Sequence, residues 1–144
     1  MAIIQTLTTS FKVEVAQGLH NFTTGTGNVF KLALYTANAD LGASTTTYTA
    51  SGEVSSSGTN YSAGGIVLTN ITPSFQGTTS YWSFQNATFT NVTLTTNGAL
   101  IYNSTNGNRS VAVLNFGVNI TKSAQDLVIT FPVNDATNAV LRIA

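Results

Sequence analysis

Serine-type hydrolysis needs a histidine to take the nucleophile's proton, and this 144-residue chain has a single one, His20, with no Gly-x-Ser-x-Gly turn to present a serine. Cysteine is absent, so thiol nucleophiles, thiolate metal ligands and disulfides are excluded together. Five carboxylates remain: Glu14, Asp40, Glu53, Asp126 and Asp135. Glycoside hydrolysis requires two of them across one cleft. Glu53 and Asp126 qualify by count alone, nothing in their surroundings gathers them, and surface or hydrogen-bonding roles are expected. A calcium loop clusters acidic and amide side chains at short spacing. Asn134-Asp135 with Asn138 comes nearest, lacks the acidic density, and reads as a polar turn between strands. The Thr-Gly-Thr-Gly-Asn segment ending at Asn28 has the glycines of a phosphate cradle in the wrong order, because it leaves a helix for a strand. The inventory predicts no enzyme, no metal, no cofactor and no small-molecule substrate.

Recognition by surface contact is the chemistry left. Phe75, Tyr81 and Trp82 lie close in sequence, and Trp and Tyr are favoured at protein interfaces and under sugar rings. Strand alternation sends Tyr81 and Trp82 to opposite faces, so one of the two is expected in the core. These three aromatics and Arg109, in the polar join after the strand ending at Tyr102, are the candidate interface residues.

The elements that must position them are mostly strands. After an extended start at 2–7, the segment 10–22 reads as one amphipathic helix. Ser10 is its expected N-cap and Glu14 lies near its positive end, while Phe11, Val15, Leu19 and Phe22 fall within about 80° of one another at 100° per residue. Gly18 falls on the same stripe and suggests a close backbone approach. His20 points to the opposite, solvated face. Val29 to Tyr35 is a strand with one apolar face, and 36–60 is a long polar region expected to hold two short edge strands anchored by Tyr48 and Glu53-Val54. Further strands are expected at 61–69, 79–85 and 87–96, with Pro73 and Gly77 bracketing a connection. Asn97-Gly98 fits either a hairpin turn or a bulge in a strand continuing to Tyr102.

From Gly98 onwards GALIYN, SVAVLNF, DLVITFP and AVLRIA read as four strands, joined through Asn106-Gly107, through the polar run 119–125, and after Pro132. GALIY and VAVLNF are apolar on both sides, so something must cover their outer face. The helix is the first candidate and a neighbouring subunit the second. The fold expected is mainly β, an antiparallel two-sheet sandwich of jelly-roll-like kind with one N-terminal helix, in a single domain over 1–144.

Charged residues make up 7% of the chain against about 25% in typical soluble domains, and the five basic and five acidic residues balance. Without a basic patch, nucleic acid is not an expected partner. No segment has the length and apolarity of a membrane span, and MAIIQTL lacks the features of a secretory signal, so synthesis in a cytoplasm is expected. The eight Asn-x-Ser/Thr sequons then read as by-products of a Thr- and Asn-rich chain.

FKVEVAQGLHNF, NVFKLALYT, GEVSSSGTNYSAGGIVLTN, GALIYN, AVLNFG, ITFPVNDA and VLRIA, taken in that order, resemble a family of small structural proteins of tailed bacteriophages over nearly the whole chain. KLALYT, YSAGG, GALIYN and LRIA are the most specific pieces. The resemblance implies a virion protein, foremost a capsid decoration or cement protein. It would sit on the outer capsid surface at junctions between major capsid subunits, as a homo-oligomer (dimer or trimer). It brings no catalytic residues with it. The alternative it leaves is a tail or fibre module binding host carbohydrate through an exposed aromatic such as Trp82.

Overall fold

The computed structural model describes residues 2–144, and the chain forms two antiparallel sheets with one short helix, a β sandwich. In chain order the elements are β1 (Thr6–Leu7), α1 (Thr9–Ala16), β2 (Phe30–Tyr35), β3 (Ile66–Val67), β4 (Asn70–Gln76), β5 (Thr79–Phe84), β6 (Ala87–Asn103), β7 (Arg109–Ile129) and β8 (Leu141–Ile143). The large sheet has the order β1-β7-β6-β2-β3 and the small one β4-β5-β8.

The spine is the β6–β7 hairpin, of 17 and 21 residues. It is longer than the sequence suggests, since SVAVLNF and the DLVI of DLVITFP belong to one strand and the polar run 119–125 is not a turn. Threonine, with its β-branched side chain, suits a strand. Here cross-strand pairs carry the ladder through the polar stretch: the Thr95 and Thr121 hydroxyls are 3.0 Å apart, and the Asn97 amide donates to Asn119 at 3.0 Å. The two readings of Asn97-Gly98 resolve as an irregularity within β6, whose register against β7 shifts between Thr96 and Gly98. A Cβ at Gly98 would come within 2.5 Å of the Leu114 carbonyl oxygen and 2.9 Å of the Ile3 side chain, so only glycine lets the two strands and the N-terminal segment meet there. Asn106-Gly107 does form the hairpin connection, between the paired Asn103 and Arg109.

Another strand was hidden by a proline. β4 runs through Pro73, which is tolerated because β4 is an edge strand and its register is broken between Ile71 and Ser74. Gly77 lies in the tight turn to β5, not at the end of a long connection. The expected strand over 61–69 shrinks to β3, and the region 36–60 holds isolated bridges, Leu41 with Ile3, Thr47 with Arg109 and Glu53 with Tyr35, in place of two edge strands.

The helix is shorter than the periodicity implies. Its N-cap is Thr8, whose hydroxyl accepts from the Phe11 amide at 3.4 Å, and not Ser10. Pairing of Leu7 with Ala112 fixes the chain just before Thr8 and so decides among the hydroxyls of the Thr-Thr-Ser run. Gly18 ends it: with φ of 74° it sits at the left-handed position of a Schellman motif, in which Leu19 N–H reaches the Glu14 carbonyl (3.0 Å) and Gly18 N–H that of Val15 (3.2 Å). A Cβ there would touch nothing within 4 Å, so the glycine serves termination and not close packing.

The core lies between the sheets. Leu32, Leu34, Ile101 and Val111 of the large sheet face Trp82, Phe84 and Leu141 of the small one. Phe22 and Phe30 stack with centroids 4.2 Å apart, and Phe84 closes on both. Phe11 belongs to this inner side, so the helix does not cover the outer face of the two-sided strands as expected. That face, with Ala33, Tyr35, Leu100, Tyr102 and Val113, is covered by Ile3 and by Ala39, Leu41 and Tyr48 of the polar loop. Burying each large apolar side chain contributes roughly 1.5–3 kcal/mol, which explains why a loop rich in Thr and Ser still keeps these few anchors.

Candidate functional site

Two polar networks hold carboxylates, one half-buried around Glu53 and one buried around Glu14, and both are internal fastenings. Glu53 accepts from the Tyr48 hydroxyl (2.6 Å), the Tyr61 hydroxyl (2.7 Å) and the Gly64 amide (2.7 Å). Tyr61 accepts from Leu34 N–H at 2.9 Å, and Tyr102 donates to the Gly64 carbonyl at 2.7 Å, so the network ties the polar loop to β2 and β6. Burial, then the nearby Glu53 carboxylate, raises the hydroxyl pKa values of Tyr35 and Tyr48 well above the ordinary tyrosine range. The Tyr61 hydroxyl is raised too, chiefly by burial.

The second network centres on Glu14, buried at the end of α1 and not at its solvated start. It accepts from Arg109 and faces His20 Nε2 at 3.2 Å. Asn103 donates to His20 Nδ1 at 3.0 Å, which leaves the ring proton on Nε2, pointing at the carboxylate. The imidazole is buried because the helix ends at Gly18, so helical arithmetic no longer locates it. Desolvation lowers its pKa, against the pull of Glu14, and its side chain has no exposed surface with which to meet a substrate. Arg109, expected at an interface, is drawn into this internal pair with its guanidinium partly exposed.

Asp126 accepts from Asn91 N–H at 2.9 Å, and Asp135 closes its own turn by accepting from the amides of Thr137 (2.9 Å) and Asn138 (2.7 Å). Hydrogen bonds from Asn138 hold the Asp135 carboxyl below its ordinary value. These are the turn and hydrogen-bonding roles expected of them.

The open surface lies elsewhere, on the small sheet. Trp82 pairs with Leu141 and Ser80 with Ile143, while Phe75 pairs with Ser80. Side chains opposite one another across antiparallel strands share a face, and residues two apart share it again. Phe75, Ser80 and Ile143 therefore form the next row on the inner face beyond Trp82 and Leu141. The Trp82 row is buried at 5% exposure, but Phe75 is 73% exposed and Ile143 54%. The inner face thus overhangs the core. Between the overhang and α1 runs an apolar groove of about 270 Å³ floored by Phe11, Trp82 and Leu141 and walled by Val15. It continues past Trp82 towards Pro73.

Of the four candidate interface residues, the structure brings Phe75 and Trp82 to this one face, puts Tyr81 on the opposite face, and holds Arg109 against Glu14. Sequence reasoning missed Val15 and Ile143 as groove residues. The alternation of Leu141 with Ile143 was the available signal, and it needed the pairing with β5 to show that the two rows differ in cover. No family model, curated protein or solved structure matches this chain.

Proposed function

We propose that this protein is a structural binding protein and not an enzyme: a phage decoration or cement-like protein on the outer capsid surface. There it would join major capsid subunits as a small homo-oligomer, a dimer or trimer. The observation that carries the binding role is the overhang, in which Phe75 and Ile143 extend a core-type apolar face into solvent beside an apolar groove. Such a face is stable in water only at a cost, and contact with a partner removes that cost. The phage setting rests on the resemblance of GALIYN, KLALYT and LRIA. Balanced charge and a threonine-rich surface suit a site away from the genome. Particles made without the protein should open at lower temperature or internal pressure than complete ones. Unchanged particle stability, with the protein found in the tail, would contradict the proposal.

A tail or fibre module that binds host carbohydrate is the other reading. It would use Phe75, or the partly exposed Tyr81 on the other face of the small sheet, because Trp82 is buried and cannot stack on a sugar ring.

A further inference from the structure

The groove beside α1 has a shape that the overhang alone does not explain. Leu141, Arg142 and Ile143 all line it, although successive side chains of a strand point to opposite faces. The groove therefore runs along the edge of β8 and not merely over one of its faces. Among the described residues β8 pairs with β5 alone, so its other edge offers unpaired backbone groups. Leu7 of β1, at the edge of the large sheet, lines the same groove, so the sandwich is open along this side between its two sheet edges. Lys12 lines the inner side of the opening; Arg142 opposes Tyr81 and so projects from the outer face, where its guanidinium donates to the Thr137 carbonyl, and among the described residues no carboxylate lines the groove.

We infer that an extended segment of a partner protein, carrying apolar side chains alternating with carboxylates, adds to the free edge of β8 as a fourth strand of the small sheet. Its apolar side chains enter the groove over Trp82 and Leu141, and its carboxylates, on the opposite face, lie beside Arg142. Backbone pairing gives the affinity of this mode and the alternate side chains its selectivity. The inference rests on the binding role proposed above and names the chemistry of the partner.

The test uses the whole protein, labelled with ¹⁵N, and two capped nonapeptides, one alternating valine with glutamate and one alternating valine with lysine. The glutamate peptide should shift the amides of Leu141 to Ile143 and the Trp82 indole, and bind at least about tenfold more tightly than the lysine peptide. Arg142→Glu, an exposed substitution, should reverse that order, with the other shifts confined to the Asp135–Asn138 turn whose Thr137 carbonyl Arg142 holds. Equal binding of both peptides, binding by neither, or shifts along β7 instead would overturn the inference. So would self-association of the protein that protects the β8 edge, since the occupant would then be a second copy. If particles still carry the Arg142→Glu protein at full occupancy, the groove assignment fails while the structural role in the virion stands.

Discussion

The outer face of the large sheet and the inner face of the small sheet both carry large apolar side chains beyond the central core, yet the chain covers only the first. Over Tyr35, Leu100 and Tyr102 it lays the loop 36–54, pinned by Ala39, Leu41 and a Tyr48 ring stacked on Tyr102 at 5.0 Å, and locked by Glu53. Beside Phe75 and Ile143 it lays nothing among the described residues. The loop is long, polar and low in regular structure, and its hydroxyls and one carboxylate do the fastening. This sequence thus closes an apolar face with an irregular segment where closure is needed for stability, which makes the open face a feature of a different kind.

If that contrast is right, substitutions on the two faces should differ most at their anchors. Tyr35→Ala removes a ring with no exposed surface and its 2.6 Å bond to the Thr49 carbonyl, and should destabilise the protein by about 3–5 kcal/mol in urea unfolding. Glu53→Gln keeps the shape but weakens three hydrogen bonds to a charged acceptor, and should cost about 1–3 kcal/mol, with faster hydrogen exchange at the Gly64 amide. A loss below about 0.5 kcal/mol would mean that the loop is held by its apolar anchors alone.

Alkaline pH probes the same closure. The folded state keeps the Tyr35, Tyr48 and Tyr61 hydroxyls protonated to a higher pH than the unfolded chain does, in which they titrate near pH 10. Their contribution is therefore intact below about pH 10 and lost progressively as pH rises above it. Tyrosinate absorbance near 295 nm should grow in step with unfolding for these groups; titration of all tyrosines before any loss of β structure would break the comparison. The smallest effect belongs to the open face. Phe75→Ser should change stability by no more than about 0.5 kcal/mol, because the ring is already 73% exposed.

Much of the sandwich was legible in the sequence, because alternation marks β2, β5 and the first half of β6 and two-sided apolar runs mark the segments from Gly98 and Ser110. What misled was local chemistry overruled by tertiary pairing. The polar run 119–125 looks like a turn but pairs as strand, Pro73 looks like a break but sits on an edge, and helical periodicity through Phe22 ignores the stop imposed by Gly18. That last error also placed His20 in solvent when it is buried against Glu14. The candidate site was half legible. Aromatic clustering pointed to Phe75 and Trp82, and the tight turn at Gly77 makes the β4–β5 register local, but which row of the small sheet lies beyond the core also depends on the pairing of β5 with β8, which is distant in sequence.

The central claim, that the uncovered face exists for a partner and not for folding, is tested most directly by the copy number of Phe75→Ser with Ile143→Ser in purified particles, measured beside its unfolding midpoint. The midpoint should stay close to that of the unsubstituted protein while the copies per particle fall clearly. An unchanged copy number, or a fall explained by loss of folding, would contradict that claim.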